Sequence, residues 1–109
     1  MRRYLVRAVL TSEGLKNFRT QPPTSLKAAV AKFLDSVGGR LEAWYFDYSE
    51  ATAYSIIYFP TEISAATAQL MTNSSGFARV TLHPLISAEE ADKAMALLPA
   101  IRAPQQQQQ

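Results

Sequence analysis

Residues 41–60, LEAWYFDYSEATAYSIIYFP, read as two strands joined by a tight turn. They carry Trp44, Tyr45, Phe46, Tyr48, Tyr54, Tyr58 and Phe59, with apolar groups on both sides of each strand. A strand wetted on one face alternates apolar and polar residues. This hairpin does not, so both of its faces need a cover, and the fold is constrained by how many covers the rest of the chain provides.

The flanking sequence provides one. Residues 3–11 are a β-rich run that ends at Thr11-Ser12-Glu13-Gly14 and read as a first strand. A short turn over 12–19 and an interruption at Pro22-Pro23 follow. Leu26, Ala29, Val30, Phe33, Leu34 and Val37 then recur at helical spacing, with Thr24 or Ser25 as the cap and Gly38-Gly39 as the stop. Strands are expected over 40–48 and 51–60, turning at Ser49-Glu50. Thr61 caps a second helix to about Met71, with Ile63, Ala66, Thr67 and Leu70 on one side. A fourth strand runs from Phe77 to near Pro84. Ser87 and Glu90 form a capping-box pair that opens a third helix, fading at Pro99.

The order strand, helix, strand, strand, helix, strand, then a C-terminal helix is the ferredoxin-like split arrangement. It places an antiparallel α+β sheet in order 4-1-3-2 with both main helices on one face. One domain over 1–100 is expected, with 101–109 a Gln-rich disordered tail.

Strict alternation assigns Ala53, Ser55, Ile57 and Phe59 to the helix side. The opposite set is Leu5, Arg7 and Val9; Glu42, Trp44, Phe46 and Tyr48; Thr52, Tyr54, Ile56 and Tyr58; and Arg79, Thr81 and His83. A monomer would leave Trp44, Phe46, Tyr54, Ile56 and Tyr58 bare, more apolar surface than the few hundred Å² that soluble monomers carry. At about 25 cal/mol per Å², covering them stabilises association by many kcal/mol before the entropic cost of pairing. The expected partner is a second copy in an isologous, sheet-to-sheet dimer.

Composition narrows the function classes. Eleven basic and nine acidic residues leave a formal charge of +2, little pull on nucleic acid or acidic membranes. No stretch approaches the roughly 18 apolar residues of a membrane span. Arg2, Arg3 and Arg7 interrupt any secretion-signal pattern at the start, so a cytoplasmic protein is expected. With no cysteine and one histidine, neither a disulfide framework nor a metal site is expected. Gly14, Gly38, Gly39 and Gly76 form no phosphate loop, and no cofactor is implied. RRM-type RNA binding uses this fold, but strand 3 lacks that pattern's basic start and glycine.

YLVRAVLTSEGLKNF (4–18), VGGRLEAWYFDYSEATAYSIIYFP (37–60) and VTLHPLISAEEADKAM (80–95) resemble the GYD-domain proteins, a group of small bacterial proteins. The resemblance covers nearly the whole chain outside the tail. It implies a ferredoxin-like fold of the dimeric α/β-barrel type, and it carries no settled activity. The namesake Gly-Tyr-Asp falls on Ser49, Ala51 and Thr52, with Glu50 between them, so the chain resembles a divergent member without the motif. No role of that Asp or Tyr transfers to it.

The candidate site residues lie on the expected outer face. His83, beside Thr81 and Arg79, is a candidate general base or a hydrogen-bonded residue at the sheet end. Arg7, flanked by Leu5, Val6, Ala8 and Val9, binds an anionic ligand or pairs with Glu42 or with a carboxylate of a second subunit. Tyr54, Tyr58, Trp44 and Tyr48 line an aromatic pocket or are plain dimer core. Glu89 and Glu90 are accounted for by helix capping. Three readings stay open: a dimer holding a small, partly apolar or aromatic ligand; a cofactor-free enzyme resembling small monooxygenases or isomerases by fold alone; or a structural or regulatory oligomerisation module.

Overall fold

A computed structural model describes residues 1–98. The expected Gln-rich tail over 101–109 and the helix fade at Pro99 lie outside the described residues. The elements are β1 (Arg2–Leu10), α1 (Ser12–Asn17), α2 (Pro23–Ser36), β2 (Arg40–Asp47), β3 (Thr52–Phe59), α3 (Glu62–Ser74), β4 (Ala78–Leu85) and α4 (Ala88–Ala96). The strands form one antiparallel sheet in the order β2-β3-β1-β4, the expected 4-1-3-2 seen from the other edge. This is the ferredoxin-like α+β architecture. No helix of the described residues is long and apolar enough to cross a membrane.

Where only a turn was expected after β1, the chain makes the six-residue helix α1. The Thr11 hydroxyl caps it by accepting the Gly14 N–H at 3.2 Å. A Cβ at Gly14 would fall 2.0 Å from the Phe77 carbonyl oxygen, so α1 approaches the start of β4 as only glycine permits. The Pro22-Pro23 pair, read as an interruption, starts α2 instead. Pro23 occupies the first turn, where its missing N–H costs nothing, and extended Pro22 is the cap position. Thr24 and Ser25, the expected caps, lie inside that turn.

α3 is capped as expected by Thr61, in reciprocal hydrogen bonds with Ser64, and runs past Met71 to Ser74. Its orientation overturns the expected one. Ala65 and Ala68 face the sheet, while Ile63 and Leu70 are largely exposed. Both sides of this helix carry apolar residues, so periodicity alone does not choose between them. A two-point bond does fix the helix against β4: Asn73 Nδ2 donates to the Val80 carbonyl at 3.1 Å, and its Oδ1 accepts the Val80 N–H at 2.6 Å.

The core lies between the sheet and the α2/α3 layer. Tyr4 and Val6 of β1, Ile57 and Phe59 of β3, Ala78 and Val80 of β4, and Leu34 of α2 are buried together with Ala65 and Ala68. Phe59 is 1% exposed and packs edge-on to Tyr4, their ring centres 5.8 Å apart.

β2 departs from strict alternation. Leu41 pairs with Ile57 and Ala43 with Ile56, so Glu42 is an extra residue, a β-bulge. One inserted residue exchanges the faces of everything beyond it. Trp44 therefore pairs with Ser55 and Phe46 with Ala53, on the helix side. Phe46 lies edge-on beneath Phe18 at 5.6 Å, and Trp44 borders Val30 and Phe33 of α2. The expectation that Trp44 and Phe46 stand on the outer face is corrected: their own subunit covers them. Tyr48, expected on the same outer face, sits in the β2–β3 turn and is 91% exposed.

Candidate functional site

Across the uncovered side of the sheet, the strand registers set four rows, each read from the β2 edge to the β4 edge. They are Arg40–Tyr58–Arg3–Leu85, Ala43–Ile56–Leu5–His83, Tyr45–Tyr54–Arg7–Thr81 and Asp47–Thr52–Val9–Arg79. Neither α2 nor α3 lies on this side, since both pack into the core on the other. The two middle rows hold an apolar hollow of 270 Å³, walled by Leu5, Ala43, Tyr45, Tyr54 and Ile56. A larger cleft of 450 Å³ opens at the end of the face, where Arg2, Arg3 and Tyr58 meet Ser87 and Glu90 at the start of α4.

The polar groups fall into two clusters. At one end Arg3 donates to the Tyr58 hydroxyl through Nε at 2.7 Å and also through Nη2, and Tyr58 donates to Glu42 at 3.3 Å. The Tyr58 ring lies between two guanidinium groups, Arg3 at 4.8 Å and Arg40 at 4.6 Å from its centre. In the middle Arg7 reaches Glu50 at 3.7 Å. Asp47 accepts the Ser49 N–H and hydroxyl at 3.0 and 2.6 Å. The Ser49 hydrogen bonds, aided by the nearby Arg7 charge, hold the Asp47 carboxyl below its usual range.

The face therefore gathers most of the expected site residues. Arg7, Tyr54, Ile56, Tyr58, Arg79, Thr81 and His83 all lie on it, and His83 stands one row from Arg7. Trp44 and Phe46 do not, because of the bulge. Arg7 takes Glu50 as its partner; Glu42 takes Arg3, at 3.9 Å. Sequence reasoning missed Tyr45, 73% exposed and paired with Tyr54, together with the Arg3–Tyr58–Arg40 stack. The run Trp44-Tyr45-Phe46 has no alternation of its own, so only cross-strand pairing tells which ring points where. Among the described residues, no three His, Cys, Asp or Glu side chains come together as a metal site.

Glu89 and Glu90 open α4. Glu90 completes the capping box with Ser87, and the Ser87 backbone hydrogen bond, followed by its hydroxyl, keeps the Glu90 carboxyl below its ordinary range. α4 itself lies apart from the core, with Met95 63% exposed.

Comparison with curated proteins and with solved structures returns no match. The family model described as the GYD domain matches residues 4–95, which run from within β1 to within α4. The chain belongs to the GYD-domain family.

Proposed function

We propose that this GYD-domain chain works as a homodimer whose two open sheet faces meet, enclosing a chamber that binds a small, partly apolar or aromatic molecule. The observation that carries the reading is the open face itself. Leu5, Ala43, Tyr45, Tyr54 and Ile56 stand around an apolar hollow that no helix of the described residues covers.

Charge placement favours a second copy as the cover. The carboxylates of the face belong to β2 and its turn (Glu42, Asp47 and Glu50) and outnumber Arg40 there, whereas β4 contributes Arg79 and no carboxylate. A two-fold axis running parallel to the strands brings β4 of one copy over β2 of its partner, so opposite charges meet at both edges. Within the chamber Arg7 is the group that would hold an anionic end of the ligand, exchanging its exposed Glu50 contact for it.

A second reading has one observation in its favour. His83, Thr81 and Arg7 share this face, so proton transfer on a bound molecule without a cofactor is chemically available there. A chamber filled solid by the rings would instead make the dimer a structural or regulatory module. The cysteine-free composition suits the cytoplasm as its place of work.

Light scattering of the full chain at tens of micromolar tests the assembly. Twice the chain mass is expected, and Ile56→Lys is expected to halve it while leaving the circular dichroism unchanged. A wild-type protein that stays monomeric ends the proposal. Native mass spectrometry of the purified dimer tests the chamber: a retained small molecule that Arg7→Ala releases is expected.

A further inference from the structure

The two covering helices do not close over the sheet. α2 packs against β2 and α3 against β4, and between them lies a cleft of 110 Å³. Val30 and Phe33 of α2, Trp44 of β2, Ser55 of β3, and Ala68 and Thr72 of α3 border it. Val30, Phe33 and Trp44 remain only half-buried, although all three point toward the core layer. Interiors ordinarily pack at the density of organic crystals, and an unfilled gap forfeits dispersion contacts along its walls. This gap lies wholly within one subunit, on the side of the sheet opposite the proposed dimer face.

Its wall chemistry is specific. The walls are apolar except for two hydroxyls, and the Thr72 hydroxyl already donates to the Ala68 carbonyl at 2.8 Å. Ser55 is 7% exposed and borders the cleft. It interrupts a row of Ala53, Ile57 and Phe59 on the same side of β3. The hydroxyl is not stranded, since no buried side-chain nitrogen or oxygen of the described residues lacks a hydrogen-bond partner. With the Thr72 hydroxyl engaged, Ser55 is the wall hydroxyl that a polar atom entering the cleft would meet.

We infer that this cleft binds a small monocyclic aromatic molecule bearing one hydroxyl, phenol being the simplest, with Ser55 as its hydrogen-bond partner and Trp44 as its aromatic wall. An engineered apolar cavity of about 150 Å³ takes up benzene. The present cleft is smaller, but Val30 and Phe33 on its border are only half-buried, so rotation of either side chain would enlarge it. No charged side chain borders the cleft, so an aromatic carboxylate would lose its hydration without compensation. That separates this site from the Arg7 chamber, which favours an anionic end.

The test titrates the full-length protein with phenol, toluene and benzoate, following emission of Trp44, the sole tryptophan, and the methyl resonances of Val30. Saturable binding is expected for phenol, several-fold weaker binding for toluene, and none for benzoate. Ser55→Ala removes the preference for phenol over toluene. Ala68→Leu fills the cleft and abolishes binding of both; Val30→Phe does the same by a second route should the first variant fail to fold. Arg7→Ala leaves binding intact, so failure here and failure of the dimer chamber are told apart. The inference is overturned by any one of three results: no saturable response to phenol, a phenol preference that survives Ser55→Ala, or binding that survives filling of the cleft.

Discussion

From Ala53 onward, residues of β3 alternate between two environments that their own chemistry does not distinguish. Ala53, Ser55, Ile57 and Phe59 point under the helices and are all buried, while Tyr54, Ile56 and Tyr58 point the other way and stay half-exposed. Within β3 the open side carries two rings, Tyr54 and Tyr58, against Phe59 alone on the other. Burial here follows from which elements come down on a face, and α2 and α3 both come down on the same one. The helix-side face is held by close packing around Phe59. The open face is organised by ion pairs, guanidinium–ring contacts and an unfilled apolar hollow.

The sharpest way to break that contrast is to truncate one ring on each side. Phe59→Ala is expected to cost about 3–5 kcal/mol in urea unfolding, because a fully buried ring leaves a cavity. Ile56→Ala on the same strand is expected to weaken association and leave the monomer's stability nearly unchanged. Equal losses at the two positions would mean that the faces are not different in kind.

The bulge at Glu42 invites a second comparison, between adjacent rings. Trp44→Ala is expected to cost about 2 kcal/mol, less than a fully buried ring because Trp44 is half-exposed. Tyr45→Ala is expected to stay within about 0.5 kcal/mol for the isolated subunit. Acrylamide should quench Trp44 emission less than that of a fully exposed tryptophan, even in a monomeric variant. Ready quenching there would return Trp44 to the outer face and remove the bulge.

The turn that joins the two strands fixes the register of both faces, and Ala51 holds it with φ at +51°, a conformation that a Cβ penalises. Ala51→Gly is expected to stabilise the hairpin by about 1 kcal/mol, read as a raised urea midpoint with an unchanged slope. Destabilisation would mean that the side chain contributes more than the strain removes.

The smallest effect belongs to the exposed carboxylates. Asp47 and Glu90 have lowered pKa values in the folded state, through hydrogen bonds from Ser49 and Ser87. Their stabilisation is therefore fully present above the ordinary carboxylate range of about 4, and it fades as pH falls through the lowered values. Asp47→Asn and Glu90→Gln should flatten the acid limb of a stability–pH profile and leave neutral pH almost untouched. An acid limb that stays just as steep in the double variant would assign it to other carboxylates.

Much of this molecule is written locally in its residues. Thr61 and Ser87 cap the helices that follow them, Gly38 and Gly39 end α2, and the order of strands and helices leaves few sheet arrangements other than the one found. Such signals act over one or two turns of chain, so they can be read without knowing the fold. The directions of Trp44 and Phe46, the inward side of α3 and the pairing of Arg7 with Glu50 had to wait for tertiary structure. Each depends on contacts outside the element itself: a bulge chosen by pairing across β2 and β3, a helix held by the Asn73 bond to Val80 of β4, and a salt bridge from β1 to the β2–β3 turn. Where both sides of an element are apolar, local pattern leaves its orientation degenerate, and only packing against the rest of the chain resolves it.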